Sequence, residues 1–462
     1  MSDSHPVREP PRTLGATLRY LGPGMILAAG LVGSGELIAT TKAGAQAGIT
    51  LLWVIVVGCV IKVFAQIELG RYTVSEGVTT LWAINRLPGP RFGAHWIIWL
   101  WLIMMATTYG MLGGILGGVA QALAMIMPLT GDYALALQTQ DAPLDDALDT
   151  RIWATLVAFG TSLLLFFGRY RLLELICIGM VFCFTLITVG NAFALQTTDY
   201  AIPVSEILDG MSFGVPDDPA AWLPALAAFG IIGVGGTDLI VYPYWCLQRG
   251  YADFIGKRSA DPAWAERARG WLRVMKIDAL VAMCAYTFST VAFYYIGAAV
   301  LNREGADPDG MRFINTLAGA YVPVFGAYAK ALFLAGALAV LYSTFLVANA
   351  GSAHLFADCL TIFGALPDND EARQRAAPFL AFALPLVVLL IFWTGWNPVR
   401  MILVGGLVQS LILPIVGGVA LVFRFRLVDE RLRPGRLWDT ALLLSCLSLL
   451  AVGMFSATRI LF

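Results

Sequence analysis

The sequence predicts an all-α integral membrane protein of eleven spanning helices, ten of them in two inverted five-helix repeats whose first and sixth helices are broken. Three observations predict it. Of 462 residues, 58% are hydrophobic and 13% charged, about half the roughly 25% charge usual in soluble domains, and mean hydropathy is +0.75. A soluble particle could not enclose that much apolar surface and keep a wettable exterior. Apolar runs of about 20 residues, enough to cross some 30 Å of hydrocarbon, recur along the chain. A glycine-rich motif with an acid at its centre appears twice, in the first and the sixth of these runs.

The runs lie at 17–46, 50–70, 96–128, 151–168, 172–195, 222–246, 277–301, 324–350, 377–394, 400–423 and 437–460. They are continuous rather than alternating, which indicates helices and not the strands of a membrane barrel. Residues 1–16, with Pro6, Pro10 and Pro11, form a polar cytoplasmic tail without the apolar core of a signal peptide. Residues 17–462 form one transmembrane domain: repeat one at 17–195, repeat two at 222–423 and an additional helix at 437–460. The longest connection, Gln248 to Lys276, reads as a short polar helix between spans.

Lys and Arg divide roughly three to one in favour of a cytoplasmic N-terminus and an external C-terminus, as in a plasma membrane or bacterial inner membrane. Arg249, Lys257, Arg258, Arg267, Arg269 and the run from Arg424 to Arg436 carry much of this bias. A net charge of -1 without a basic tail gives no basis for nucleic-acid binding. The seven cysteines form no CxxC pair, so they read as small buried hydrophobes rather than a disulfide framework or zinc site. No cofactor and no obligatory protein partner is indicated beyond the lipid bilayer.

Span one carries Val32-Gly33-Ser34-Gly35-Glu36-Leu37-Ile38 and span six Val234-Gly235-Gly236-Thr237-Asp238-Leu239-Ile240. At a constant offset the columns share Val, Gly, Leu and Ile and place an acid in the same position. Five spans separate the motif starts, an odd number, so the second repeat enters the membrane from the opposite side. Glycine-interrupted segments at matching positions of two such halves mark the binding site.

A carboxyl at the centre of a spanning helix costs roughly 2.5–3.5 kcal/mol on insertion scales and therefore faces a cavity and acts there. Glycine permits unwinding, and freed carbonyls at Gly33 and Gly235 with the hydroxyls of Ser34 and Thr237 add oxygen ligands. Glu36 and Asp238, brought together, hold a cation or share a proton. Lys62, deep in span two, is the third buried charge. It is expected to pair with the acids structurally or to take part with them in a proton or charge relay. Capping of the following half-helix is the structural alternative for both acids. Thr107, Thr108, Tyr109 and Gln121 on span three, with Tyr342, Ser343, Thr344 and Asn349 on span eight, bond between helices or line a pathway.

Several motifs resemble the Nramp family of divalent metal transporters: Gly22-Pro23-Gly24 opening span one, Ala43-Gly44-Ala45-Gln46-Ala47-Gly48 after its interruption, and Gln66-Ile67-Glu68-Leu69-Gly70-Arg71 in span two. Gly168-Arg169-Tyr170-Arg171-Leu172-Leu173-Glu174 and Tyr342-Ser343-Thr344-Phe345 with Ala350-Gly351 extend the resemblance over all eleven spans. It implies the LeuT-type five-plus-five fold and proton-coupled metal uptake by alternating access. The family's Asp-Pro-Gly-Asn is here Gly33-Ser34-Gly35-Glu36, and its Met-Pro-His is Thr237-Asp238-Leu239. Its acidic pair on span three falls near Thr108 and Met111. An oxygen-only site of this kind favours hard cations such as Mg²⁺ or Mn²⁺ over softer ones. Two other readings stay open: a symporter of an organic cation or amino-acid-like solute, and a non-transporting receptor or an intramembrane aspartyl protease.

Overall fold

The computed structural model describes residues 7–139, 144, 147–168 and 170–461; the side chains at 29, 31–34, 170–174, 176–178, 180 and 461 lie outside the described residues. The chain is helical almost throughout, and the β pairing among the described residues is a two-residue hairpin, Arg91–Phe92 with Ala94–His95. Nine helices among the described residues are long and apolar enough to cross a membrane. The other two predicted spans, one and five, are also helical, over residues 23–47 and Tyr170–Ala194.

We number the long helices α1 (residues 23–47), α2 (Leu52–Glu76), α3 (Trp96–Ile126), α4 (Leu148–Phe166), α5 (Tyr170–Ala194), α6a (Trp222–Ile231), α6b (Gly236–Gln248), α7 (Pro262–Ile296), α8 (Ala329–Ile362), α9 (Asp370–Phe392), α10 (Pro398–Val422) and α11 (Arg436–Leu461). Their ends follow local chemistry. Asp261 and Asn397 each accept an amide of the first turn and are followed by Pro262 and Pro398, whose missing N–H would be unpaired there in any case. Asn369 caps α9 through Ala372 N at 2.7 Å. The polar connection before span seven holds a short helix, Tyr251–Ile255, as the sequence suggests, while its second part, from Pro262, runs without interruption into the span, so that α7 is 35 residues long.

The two glycine motifs take different forms. In span six the helix is broken: α6a ends at Ile231, and residues 232–235 are non-helical before α6b starts at Gly236. In span one the predicted break is instead a π-helical stretch, Val32–Thr40, continuous with regular helix on both sides. The Thr40 hydroxyl donates to the carbonyl of Gly35 at 2.7 Å, five residues back, which fits the wider turn. The carbonyls of this stretch thus stay within a helix, and the unwound carbonyls expected in both motifs are present only in span six. Isolated π turns of this sort concentrate at functional sites.

Around this centre, α6 is enclosed by other helices along nearly its whole length, whereas α11 faces outward along most of its own. Helix α10 packs on α3, α6a and α11, α7 on α2, and α9 on α4. Glycines on α3 allow close packing, with Gly114 and Gly117 against Pro398 and Gly118 against Leu341 and Phe313. Large apolar side chains such as Phe159, Phe182, Phe193, Leu390 and Leu447 point outward, as expected of a lipid-facing belt. Of the cysteines, Cys59, Cys246, Cys359 and Cys446 are buried and unpaired, while Cys183 and Cys284 are exposed on that outer surface.

Candidate cation site

The break in α6 is built from an extended Ile232 (φ −66°, ψ 152°), a left-handed Gly233 (φ 64°) and an extended Gly235 (φ −71°, ψ 172°). A side chain at 233 would be strained and would also meet the Cα of Cys59 on α2 at 3.1 Å. Helix α1 crosses directly over the break, because a Cβ on Gly35 would lie only 3.3 Å from the carbonyl oxygen of Ile231.

Unwinding leaves carbonyls at the end of α6a and amides at the start of α6b without helical partners. Three charged side chains serve them, each with the sign that suits its end of the dipole. Lys62 Nζ donates to the carbonyls of Phe229 and Ile232, the latter at 2.8 Å, and lies 4.8 Å over the Phe229 ring. Glu36 Oε1 accepts from Gly233 N at 3.4 Å and from the Thr290 hydroxyl on α7 at 3.2 Å. Asp238 Oδ2 accepts from Gly235 N at 3.2 Å, capping α6b from its third residue. Lys62 makes its hydrogen bonds to main-chain oxygens, where the sequence suggests a carboxylate.

The two acids differ in what they face. Asp238 is partly accessible and lines a cavity of about 60 Å³ with Thr237, Thr108, Gln409, Thr344 and Ser352, closed by Leu27, Met111, Val347 and Trp245. Glu36 and Lys62 are fully enclosed and do not line it. Among the described residues, Glu36 Oε2 is buried without a hydrogen-bond partner. The predicted site residues thus divide: Asp238 and Thr237 meet at the cavity, while Glu36 and Lys62 meet the break away from it. Gly235 supplies the amide that Asp238 caps. Gly33 and Ser34 fall within the π-helical stretch, and their side chains lie outside the described residues.

Thr108 and Thr237 place their hydroxyls 3.1 Å apart, joining α3 to the start of α6b. Gln409 on α10 accepts the amide of Thr237 at 3.4 Å. Sequence reasoning did not single out Gln409 or Thr290, since one amide or hydroxyl in an apolar helix carries no pattern. Among the described residues no three His, Cys, Asp or Glu side chains converge on one point. The cavity presents one carboxylate, several hydroxyls and a side-chain amide, set among apolar side chains that include Met111.

The family model for Nramp, natural resistance-associated macrophage protein-like, matches residues 24–461. The chain belongs to the Nramp family. Members of this family are transporters and not enzymes. No individual curated protein matches the sequence. Among solved structures, a manganese transporter of Eremococcus coleocola is similar at 14% identity and a TM-score of 0.67, over 99% of this chain and 90% of the other. MhsT in complex with L-phenylalanine is similar at 16% identity and a TM-score of 0.51, over 97% and 100% of the two chains. Mhp1, a nucleobase-cation-symport-1 family transporter, is similar at 14% identity and a TM-score of 0.55, over 99% and 96%. These likenesses place this Nramp-family protein on the LeuT-type fold, a multi-pass membrane protein as its apolar helices require.

Proposed function

We propose that the chain is a secondary transporter of a hard divalent metal cation, Mg²⁺ or Mn²⁺, that works by alternating access with the ion bound in the α6 cavity. The metal-ion character is supported by membership of the Nramp family. The observation that carries the reading is Asp238, an intramembrane carboxylate that opens onto a small cavity at a helix break, with hydroxyl and amide oxygens set among its apolar walls. Thr237, Thr108 and Gln409 surround it with neutral oxygens, and divalent ions of this class take six or more oxygen ligands, several of them water. About 60 Å³ accommodates an ion with a few waters, given that roughly 10–15 Å³ on this measure holds one water.

Proton exchange is assigned to Glu36. Its unpartnered Oε2 is a buried acceptor that a proton or a cation would satisfy, and it lies on the same break as Asp238. The proposed orientation has the N-terminus in the cytoplasm and the C-terminus outside, in the plasma membrane of a bacterium, from the distribution of Lys and Arg.

Reconstitution in liposomes tests the proposal, with uptake of Mn²⁺ and Mg²⁺ and internal pH followed together. Wild-type protein is expected to move at least one metal and to acidify the lumen. Asp238→Asn is expected to abolish uptake, and Glu36→Gln to keep uptake but lose acidification. Failure of both metals to move, or normal transport by Asp238→Asn, would refute the reading. Uptake of a small amine in place of either metal would transfer the cavity to organic cations.

A further inference from the structure

The carbonyl end of the α6 break has an occupant of its own. Phe229 and Ile232 lie in the last turn and at the C-cap of α6a, where main-chain oxygens lack helical partners and the helix dipole is negative. In transporters with broken helices such half-helix ends coordinate a monovalent coupling ion. Here the side chain of Lys62, arriving from α2, sets its Nζ against both oxygens and over the Phe229 ring, the arrangement in which a cation meets carbonyls and a π face together. Lys62 is fully buried, so bulk solvent does not reach its charge.

We infer that Lys62 is a tethered cation: it occupies a monovalent-cation position at the C-terminal end of α6a and fills it permanently, so that the break needs no free Na⁺ or K⁺ there. The chemistry recognised is that of a small monovalent cation, inorganic or ammonium, held by main-chain oxygens. This position is at the opposite end of the break from Asp238. The inference therefore stands whether or not the cavity takes a metal. It follows that removing the ammonium group, while leaving the carbonyls, creates a binding site that the wild-type protein lacks.

The test is thermal unfolding of the full-length protein, purified in detergent, as wild type, Lys62→Ala and Lys62→Met. Each is titrated with NaCl, KCl or methylammonium chloride against choline chloride at constant ionic strength. Wild type and Lys62→Met, whose apolar chain plugs the space, are expected to show no difference among the salts. Lys62→Ala is expected to unfold at lower temperature and to recover by a few degrees, saturably, with at least one of the three cations. If Lys62→Ala does not fold, Lys62→Ser, which leaves similar space, carries the same titration. Absence of a saturable, cation-specific rise in the folded variant would overturn the inference, as would the same rise in wild type. Because the readout is stability, it is independent of which substrate is transported.

Discussion

Asp238 Oδ2 accepts the main-chain amide of Gly235 at 3.2 Å, so one carboxylate both caps α6b and supplies the charge of the cavity wall. The two roles separate by substitution. Asn at 238 keeps an acceptor for the amide and loses the charge, whereas Ala loses both. Asp238→Asn is expected to unfold close to wild type and Asp238→Ala about 1 kcal/mol lower, the usual worth of such a cap. Both are expected to lose any stabilisation by Mn²⁺ or Mg²⁺. Thermal unfolding with and without metal checks this, and retained metal stabilisation in Asp238→Asn would remove the acid from the site.

The hydroxyls of Thr108 and Thr237, 3.1 Å apart, bring α3 and α6b together at the same cavity. Thr237→Val preserves shape and removes one oxygen ligand. Metal affinity is expected to fall by about tenfold, the equivalent of about one net hydrogen bond, with the fold intact. Calorimetric titration of wild type and Thr237→Val measures the difference.

Asp278 on α7 ties three elements at the opening of α1. Its carboxylate accepts Gly22 N at 2.9 Å, Gly24 N at 2.6 Å and the Tyr242 hydroxyl of α6b at 3.1 Å. Such a buried acceptor, with both oxygens engaged, serves as a latch between α1, α6b and α7. Asp278→Ala is expected to cost at least about 2 kcal/mol, since charge-assisted bonds are lost and buried amides left unpaired. It should also speed hydrogen exchange at residues 22–28. Exchange mass spectrometry reads the effect, and unchanged protection there would exclude the latch.

Asp429, in the connection between α10 and α11, is held well below the usual carboxylate range by hydrogen bonds from Arg431 and by the charges of Arg431 and Arg258. Its folded value lies below its unfolded value of about 3.9. Its contribution is therefore complete above that unfolded value and is lost progressively as pH falls below it and through the lower folded value. The unfolding temperature of wild type is expected to exceed that of Asp429→Asn at pH 6–7, and the gap to shrink below about pH 4. A gap that persists undiminished at pH 3 would contradict the assignment.

Much of this site is legible in the sequence. Charge is so scarce within the spans that Glu36, Lys62 and Asp238 stand out, and the glycines around Asp238 mark the break in α6. Other features depend on tertiary contacts. The glycine motif of span one resembles that of span six, yet a π-helical turn carries the chain through it, with the Thr40 hydroxyl bonded back to Gly35 and that glycine packed on Ile231. Lys62 reads as a partner for an acid because sequence shows charges and not unpaired carbonyls; only the broken helix supplies those. Gln409 and Thr290 reach the break from helices α10 and α7, distant in sequence, and no local pattern announces them.

The most direct test of the central claim is the position of the ion itself. Crystals of the wild-type protein grown with Mn²⁺ are expected to show an anomalous peak in the α6 cavity, about 2.0–2.6 Å from a carboxylate oxygen of Asp238. That peak should be absent in Asp238→Asn. No peak in the cavity at millimolar Mn²⁺, or an equal peak in the variant, would contradict the account.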